Sequence, residues 1–598
     1  HQSSLLHMYI DKHLLTEEEV VIEAKQLSVW TPEEKPWWRR KPTKLKTMIL
    51  KNVTGCMKTG EFVAVIGPSG AGKTTFLVAL AGRSNLPSAG IVTLNGTDVK
   101  DLQRGVIEIV PQLDIFMDTL TVMEHLIFMT EMVLGSVKIS ANKIKLDRVV
   151  EELKLKMHVN TVISALSGGE RRLLSLTSSL LSSPQVLICD EPTTGLDSYN
   201  ASVVIGVLKK LSILGTIVIC SVHQPSSDLF KEFNTITLMS EGEIVFHGPQ
   251  EECKALFESV NLYCPKNYNP AEFYIKAVSV DQKEGNHLER IKENFNLQRS
   301  YGVSYTPVMP HYQIRQRNWC KQVQLLLWRA SRNFKTNVKS YFSQLVYSTL
   351  ISSLIVCTCF AGITGTTQRG VQDIRGFLWL MVSEISFNMS YTALFTFEAK
   401  VGLFKREVGV YAPSAYYVSI LLCSMPLCIT WPMVSVTLMT IAMPLPNHLV
   451  TTAEVLVVLI VDAIASLAYG LGMGVLFTST RLMGDIMPCA DLPLFIMSGA
   501  FMRLSSLPAW LYPVKYISHF YYGMDAVSNI YWRQINYIEC PSNSTSICYK
   551  DGVSVLIETG YSSNFILEDS LGLLFITIVW SIIGFIGLKR EERKGYTY

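Results

Sequence analysis

The chain has 598 residues, with 53 basic against 50 acidic side chains, 48% apolar residues and only 17% charged ones. That near-balance carries no basic footprint on the scale of a nucleic-acid-binding protein, so no nucleic-acid partner is expected. Length alone suggests about four domains at roughly 150 residues each, and the averages fit a soluble half joined to a lipid-embedded half. Charges are dense before about Lys339, whereas later stretches run for roughly 20 residues almost without charge, the length that crosses a bilayer core. The 13 cysteines are mostly scattered, without the paired spacing of a structural zinc site. The chain opens on His1, which points to a missing native N-terminal segment. No secretory signal precedes the soluble half, so that half is expected to be cytosolic.

In chain order, the first informative element is the apolar run EFVAVI at 61–66, a strand by pattern. Gly67, Pro68, Ser69, Gly70, Ala71, Gly72, Lys73, Thr74 and Thr75 follow it at once, and TFLVALAG continues as a helix. This is GxxxxGK[ST] in its strand–loop–helix setting, so backbone N–H groups and a helix N-terminus can cradle phosphates. Lys73 then serves the β- and γ-phosphates of ATP, and the Thr74 hydroxyl is placed to ligate Mg²⁺.

Further on, Leu166-Ser167-Gly168-Gly169-Glu170 opens a second helix. A Ser-Gly-Gly helix start is another anion-binding end. One domain does not need two sites for the same phosphate, but two copies arranged head to tail do. The run Val186-Leu-Ile-Cys then ends in Asp190-Glu191. Asp190 at the strand tip suits the Mg²⁺ shell, and Glu191 suits the base that polarises the attacking water.

Residues 315–340 mix Arg and Lys with Trp and Leu at helical spacing, the pattern of an amphipathic helix on the inner membrane surface. Spanning runs are predicted near 341–362, 374–397, 416–443, 449–477, 484–502 and 567–588. Six spans put both ends on one side, and flanking Lys335, Lys339, Lys400, Lys405, Arg406, Lys589, Arg590, Arg593 and Lys594 agree, being basic on the cytoplasmic side. The long outer segment, about 503–566, is Pro- and Tyr-rich and is expected to form short re-entrant helices. Within it Cys540 and Cys548 flank Asn543-Ser544-Thr545, so a Cys540–Cys548 disulfide and a glycan on Asn543 are expected on an extracytosolic face. The sequons at Asn52 and Asn95 in the cytosolic half, and at Asn388 in a span, are expected to be bare. Intramembrane Glu384, Asn388 and Asp462 are costly in lipid; helix packing and coupling are favoured over direct substrate contact. Phe387, Phe395 and Met497 offer an apolar lining for a flat molecule, although plain packing is the simpler role.

The pairing of the phosphate loop with LSGGE resembles the ABC ATPase family. The resemblance implies further site residues: Gln112 as the Q-loop glutamine that senses Mg²⁺ and water, Asp197 in the D-loop Gly195-Leu-Asp197, and His223 as the switch histidine on the γ-phosphate. Trp30 is a candidate to stack on adenine by location, a surface or membrane-facing role being the equal alternative. ATPase-first order, six spans and a large outer loop resemble the G subfamily of ABC transporters. The segments EPTTGLDS (191–198), HQPSSDLF (223–230), EGEIVFHGP (241–249), CPKNYNPAEFY (264–274), TQRGVQDIRG (367–376) and KREVGVYAPSAYY (405–417) are similar to its White, Scarlet and Brown branch. Pro111 and Leu113 depart from the usual White pattern, which leaves Scarlet- and Brown-like readings on an equal footing.

The implied fold is an α/β P-loop ABC ATPase domain (1–300), a linker and connecting helix (301–340) and an all-α six-helix transmembrane domain (341–598). The implied activity is ATP hydrolysis, with Mg²⁺, coupled to alternating-access transport by a homodimer or a heterodimer with another G-subfamily half-transporter. The implied cargo is a small lipophilic or planar aromatic molecule such as a tryptophan metabolite or guanine-type compound. The implied membrane is that of a pigment granule, a related lysosome-like organelle or the cell surface. A sterol or phospholipid exporter of the same subfamily is the nearer alternative and an ATP-gated channel or regulator the remoter one. A soluble ABC ATPase, which needs two cassettes and no spans, fits least.

Overall fold

The computed structural model describes residues 20–31, 47–102, 105–136, 138–279, 290–292, 295, 317–477, 480–540, 548–561 and 566–594. Two compact units divide it, the main break falling between Asn318 and Trp319, with Val408–Tyr411 and Lys594 grouped with the first unit.

Strands of the first unit, in chain order, are β1 (Val21–Trp30), β2 (Met48–Lys58), β3 (Phe62–Ile66), β4 (Ser88–Leu94), β5 (Thr97–Asp98), β6 (Ile107–Val110), β7 (Val186–Cys189), β8 (Ile217–Ser221), β9 (Thr235–Ser240) and β10 (Glu243–Pro249). They form a four-stranded sheet ordered β2-β1-β4-β5 and a six-stranded sheet ordered β10-β9-β3-β8-β7-β6. The first is antiparallel. In the second, β9, β3, β8, β7 and β6 run parallel, and β10 closes the edge antiparallel to β9. Every residue of β3 (FVAVI), β7 (VLIC) and β8 (IVICS) is buried, as expected of parallel strands covered on both faces. The longer helices of the unit are α1 (Lys73–Leu80), α2 (Val122–Val133), α3 (Ser140–Glu152), α4 (Gly168–Leu180), α5 (Ser198–Ile213), α6 (Gln250–Ser259) and α7 (Pro270–Ala277), with a single helical turn at Ser227–Phe230. Phe76, Leu77, Leu174 and Leu208 from them join the sheet residues in one apolar core.

This topology places chemistry along one edge. Because β3, β8, β7 and β6 are neighbours and parallel, the loops leaving their carboxyl ends converge there, the usual location of ligands in open α/β sheets. Those loops begin at Gly67, Val222, Asp190 and Pro111.

The second unit is helical: α8 (Trp319–Ile355), α9 (Gln368–Arg406), α10 (Pro413–Ala442), α11 (His448–Leu476), α12 (Thr480–Ile496), α13 (His519–Trp532), α14 (Gly552–Thr559) and α15 (Ile566–Lys594). Among the described residues, four helical stretches are long and apolar enough to cross a membrane: Trp319–Phe360, Pro413–Ala442, His448–Leu476 and Leu567–Glu592. The other two expected spans also fall on helices, but α9 carries Glu384, Asp373 and Arg375 and α12 has only 17 residues. One expectation is altered. The surface-lying helix and the first span drawn from the sequence are a single uninterrupted helix of 37 residues, because no Gly or Pro interrupts it to make a bend. At 1.5 Å per residue it reaches roughly 55 Å, well beyond the hydrocarbon core. The outer segment forms short pieces, as expected: turns at Leu504–Ser506 and Tyr512–Ile517, then α13, which is almost wholly buried.

Candidate active site

The loop after β3 is shaped by its glycines. A Cβ at Gly67 would fall 2.2 Å from the Met239 carbonyl oxygen, closer than any side chain tolerates. Gly72 caps α1 at φ 91, in the left-handed region, which a glycine enters at no steric cost. Ser69 and Gly70 are exposed, Pro68, Thr74 and Thr75 are half-buried, and Ala71 is buried. Lys73 is buried too, and its ammonium turns back to donate to the Gly67 (2.8 Å) and Pro68 (3.1 Å) carbonyls. Burial lowers its pKa, while the Glu191 and Asp190 carboxylates pull it back up.

Asp190 directly follows β7 and is 1% exposed. Its Oδ1 accepts from Thr74 Oγ1 at 3.3 Å and from the Ser221 hydroxyl, whereas Oδ2 is buried without a hydrogen-bond partner. Burial raises its pKa; the Ser221 and Thr74 hydrogen bonds lower it, the Glu191 charge raises it again and the Arg172 guanidinium lowers it. A buried, unsatisfied carboxylate oxygen beside a threonine hydroxyl suits a hard divalent cation. Among the described residues no group of three or more His, Cys, Asp or Glu could hold a metal by itself. An ion at Thr74 and Asp190 would therefore draw its remaining ligands from phosphate oxygens and water, as Mg²⁺ does in nucleotide sites.

Glu191 adopts φ 46, a left-handed conformation that costs a non-glycine residue on the order of 1–3 kcal/mol and is held only where surroundings over-determine it. Here they do. Its N–H donates to Ser221 Oγ (2.8 Å), and its carbonyl accepts from Arg172 (3.0 Å). Its carboxylate Oε2 accepts from Gln112 Nε2 (2.8 Å) and Thr194 Oγ1 (3.0 Å). Gln112, Glu191, Asp190, Thr74 and the Lys73 loop are thus brought together. His223 lies exposed just beyond β8.

Ser167, Gly168, Gly169 and Asp197 form a separate neighbourhood. Ser167 caps α4 in a reciprocal box with Glu170, and Ser167 and Gly168 are exposed. A Cβ on Gly169 would come 2.9 Å from Asn200, whose amide donates to Asp197 Oδ1. The serine–glycine tip therefore packs on the Gly195–Leu196 segment and the first turn of α5, with Ser167 and Gly168 left exposed. Trp30 pairs with Met48 across β1 and β2, and Leu50 of the same strand crowds Gly72, 2.9 Å from where its Cβ would be. That sets Trp30 near the phosphate loop along the sheet.

Three contributors escape a motif reading. Ser221 touches both acidic residues, Thr194 touches the Glu191 carboxylate, and Arg172 bridges two loops. Their sequence signal is position alone: Ser221 ends the strand beside the acidic one, Thr194 falls within EPTTGLDS, and Arg172 is the second residue after LSGGE.

In the helical unit, Glu384 is engaged from two neighbouring helices. Ser348 of α8 (2.5 Å) and Trp431 Nε1 of α10 (3.0 Å) donate to Oε1, and Ser435 of α10 (2.8 Å) donates to Oε2. Asn388 donates to Ser348 Oγ, the Glu384 carbonyl and Oε1. Asp462 of α11 accepts from Ser386 of α9 at 2.5 Å, and its Oδ1 has no partner. Phe387 packs with Tyr391, Phe495 and Phe520, Met497 is buried and Phe395 is exposed. The Cα atoms of Cys540 and Cys548 lie 6.0 Å apart, a span a disulfide fits. Gln368 pins this loop by donating to the Glu539 and Tyr549 carbonyls and accepting from the Tyr549 N–H. Asn543 lies outside the described residues.

The ABC transporter family pattern matches residues 50–194, and ABC-2 type transporter patterns match 321–532 and 223–349. Protein brown of Drosophila melanogaster is 29% identical over 96% of this chain and 98% of its own length. Protein white of the same fly is 30% identical over 91% and 84%, and Protein scarlet 28% over 91% and 86%.

Proposed function

The chain belongs to the ABC transporters, in the White, Brown and Scarlet group of half-transporters, and from that premise we propose that two such chains, alike or related, form one pump for small lipophilic or planar aromatic molecules. As a member it is a multi-pass membrane protein that binds and hydrolyses ATP to drive transport. The observation that carries the two-chain reading is the separation just described. Lys73, Thr74, Asp190, Glu191 and Gln112 share one neighbourhood, while Ser167 and Gly168 at the helix tip are exposed and Gly169 packs on Asn200 instead. Nucleotide on the loop of one chain is then capped by the tip of another.

Each residue has a proposed task. Lys73 leaves the Gly67 and Pro68 carbonyls to meet the β/γ-phosphates. Thr74 and Asp190 would hold Mg²⁺, which when bound neutralises phosphate charge. Glu191 takes the proton of the attacking water, Gln112 and Thr194 aim its carboxylate, and His223 reaches the γ-phosphate from the end of β8. Ser167, Gly168 and Gly169 cap the partner's nucleotide, Asp197 holds the turn behind that tip, and Trp30 stacks on adenine. Domain bounds near residues 300 and 340, six spans with a cytosolic ATPase unit, a Cys540–Cys548 disulfide and a glycan on Asn543 complete the proposal. Glu384, Asn388 and Asp462 serve packing and coupling, which the side-chain partners of Glu384 support.

Planar aromatic cargo rests on the near full-length likeness to White, Brown and Scarlet, with a pigment-granule or related membrane as its setting. Uptake by ATP-loaded proteoliposomes containing this chain, alone and with a related half-transporter, tests it. Kynurenine- or guanine-type compounds should be accumulated and should stimulate hydrolysis. Stimulation by sterol alone would replace this cargo with a lipid, and ATP-gated current without uptake would replace the pump with a channel.

A further inference from the structure

Arg172 sits on α4, one turn behind the Ser167–Gly169 tip, and is 2% exposed. Its guanidinium makes four hydrogen bonds. Nη1 donates to the Pro111 carbonyl (2.6 Å) and to Asp114 Oδ1 (3.1 Å), and Nη2 donates to the carbonyls of Gln112 and Glu191 (both 3.0 Å). The carbonyls come from loops leaving β6 and β7, whose own ladder ends where the Asp190 N–H meets the Val110 carbonyl at 2.9 Å. Arg172 therefore adds one more rung beyond the end of the sheet, made by a side chain. Beside it, Arg171 bonds Asp118 and lies 5.9 Å from the Phe116 ring centre, so α4 grips the 111–118 segment at two places.

We propose that Arg172 is a positioning residue for ATP hydrolysis, holding the Gln112 segment and the Glu191 backbone in register so that the Gln112 amide meets the Glu191 carboxylate. Glu191 adopts a conformation that ordinary residues avoid, and two groups hold its backbone there: Ser221 at the N–H and Arg172 at the carbonyl. Without the second, Glu191 relaxes toward ordinary dihedrals and its carboxylate leaves Gln112. A planar fork is required, since its two ends must serve separate carbonyls; a lysine ammonium presents its donors from a single point. The four bonds of Arg172 go to Pro111, Gln112, Asp114 and Glu191, so its proposed task is to hold these segments rather than to bind the nucleotide.

The inference rests on Glu191 being the hydrolytic base, and the experiment separates the two claims. The full-length chain in lipid is compared with Arg172→Lys, Arg172→Met, Asp114→Asn and Glu191→Gln, measuring ATP bound per chain and phosphate released per bound ATP. Arg172→Lys should bind ATP within about twofold of the parent yet release phosphate at least tenfold more slowly per bound ATP, with Arg172→Met slower still. Asp114→Asn, which keeps the three carbonyl bonds, should retain at least half the parent turnover. Turnover per bound ATP equal to the parent in Arg172→Lys would overturn the inference, as would an Asp114→Asn loss matching it. A residue that only supports folding would lower the ATP bound and leave turnover per bound ATP unchanged. Hydrolysis by Glu191→Gln at the parent rate would instead remove Glu191 itself from its role.

Discussion

Asp190 in the ATPase unit and Glu384 in the membrane unit are both carboxylates drawn from apolar surroundings, and their neighbours treat them differently. Glu384 is claimed by hydroxyl and indole donors from α8 and α10. Asp190 is left with one oxygen buried and unpaired, next to a glutamate held in an unfavourable backbone conformation. Buried polar groups are ordinarily satisfied, and an exception asks for an explanation. An unpaired oxygen alone does not mark a site, since Asp462 has one too; at Asp190 it lies beside the Thr74 hydroxyl at the start of the helix after the phosphate loop, where a cation bound to phosphate would supply the partner.

The sharpest way to break that comparison is Glu191→Gln, expected to bind ATP but hydrolyse it about 10²- to 10⁴-fold more slowly, the span of general-base catalysis. Phosphate release at the parent rate would end the catalytic reading. Next, Asp190→Asn should abolish Mg²⁺-dependent hydrolysis without destabilising the nucleotide-free protein. Burial raises the Asp190 pKa, so its favourable contribution is complete below the ordinary carboxylate range and is lost as pH rises through the raised value. Replacement by the neutral amide should therefore leave the melting temperature at neutral pH equal to the parent's or higher, with a flatter dependence on pH. A clear fall in melting temperature at neutral pH would contradict this.

For Glu384 the comparison predicts the reverse. Glu384→Ala should destabilise the membrane unit by roughly 2 kcal/mol, since the Trp431 and Asn388 donors lose their acceptor in a buried place, while ATP affinity stays unchanged. Thermal unfolding in detergent together with nucleotide titration would show it, and altered cargo affinity at unchanged stability would instead make Glu384 a substrate contact. Smallest is Asn388→Ala, expected to cost about 0.6 kcal/mol, the average for such a hydrogen bond within a membrane.

Sequence alone made the parallel core legible, because a loop of GxxxxGK[ST] type after an apolar run admits few settings. Strands 62–66 and 186–189 fall on the expected runs, and the six expected spans each fall on a helix. Less legible was anything built from partners distant in the chain. No periodicity announces that Ser221 would reach Asp190, or that Arg172 would span the loops after β6 and β7. The merger of the connecting helix with the first span was misread for a different reason. Charge spacing at 319–340 signals a surface face, and only the lack of Gly or Pro up to Ile355 reveals that the helix runs on.

The central claim, that nucleotide is clasped between two chains, is tested most directly by cross-linking. Chains carrying Ser69→Cys and chains carrying Ser167→Cys, both with Glu191→Gln and with Cys320, Cys357, Cys359 and Cys489 replaced, are reconstituted together in lipid and oxidised with and without MgATP. An ATP-dependent band of twice the chain mass that requires both cysteines is the predicted result. Absence of that band with ATP supplied, whether the partner is a second copy or a related half-transporter, would contradict the account.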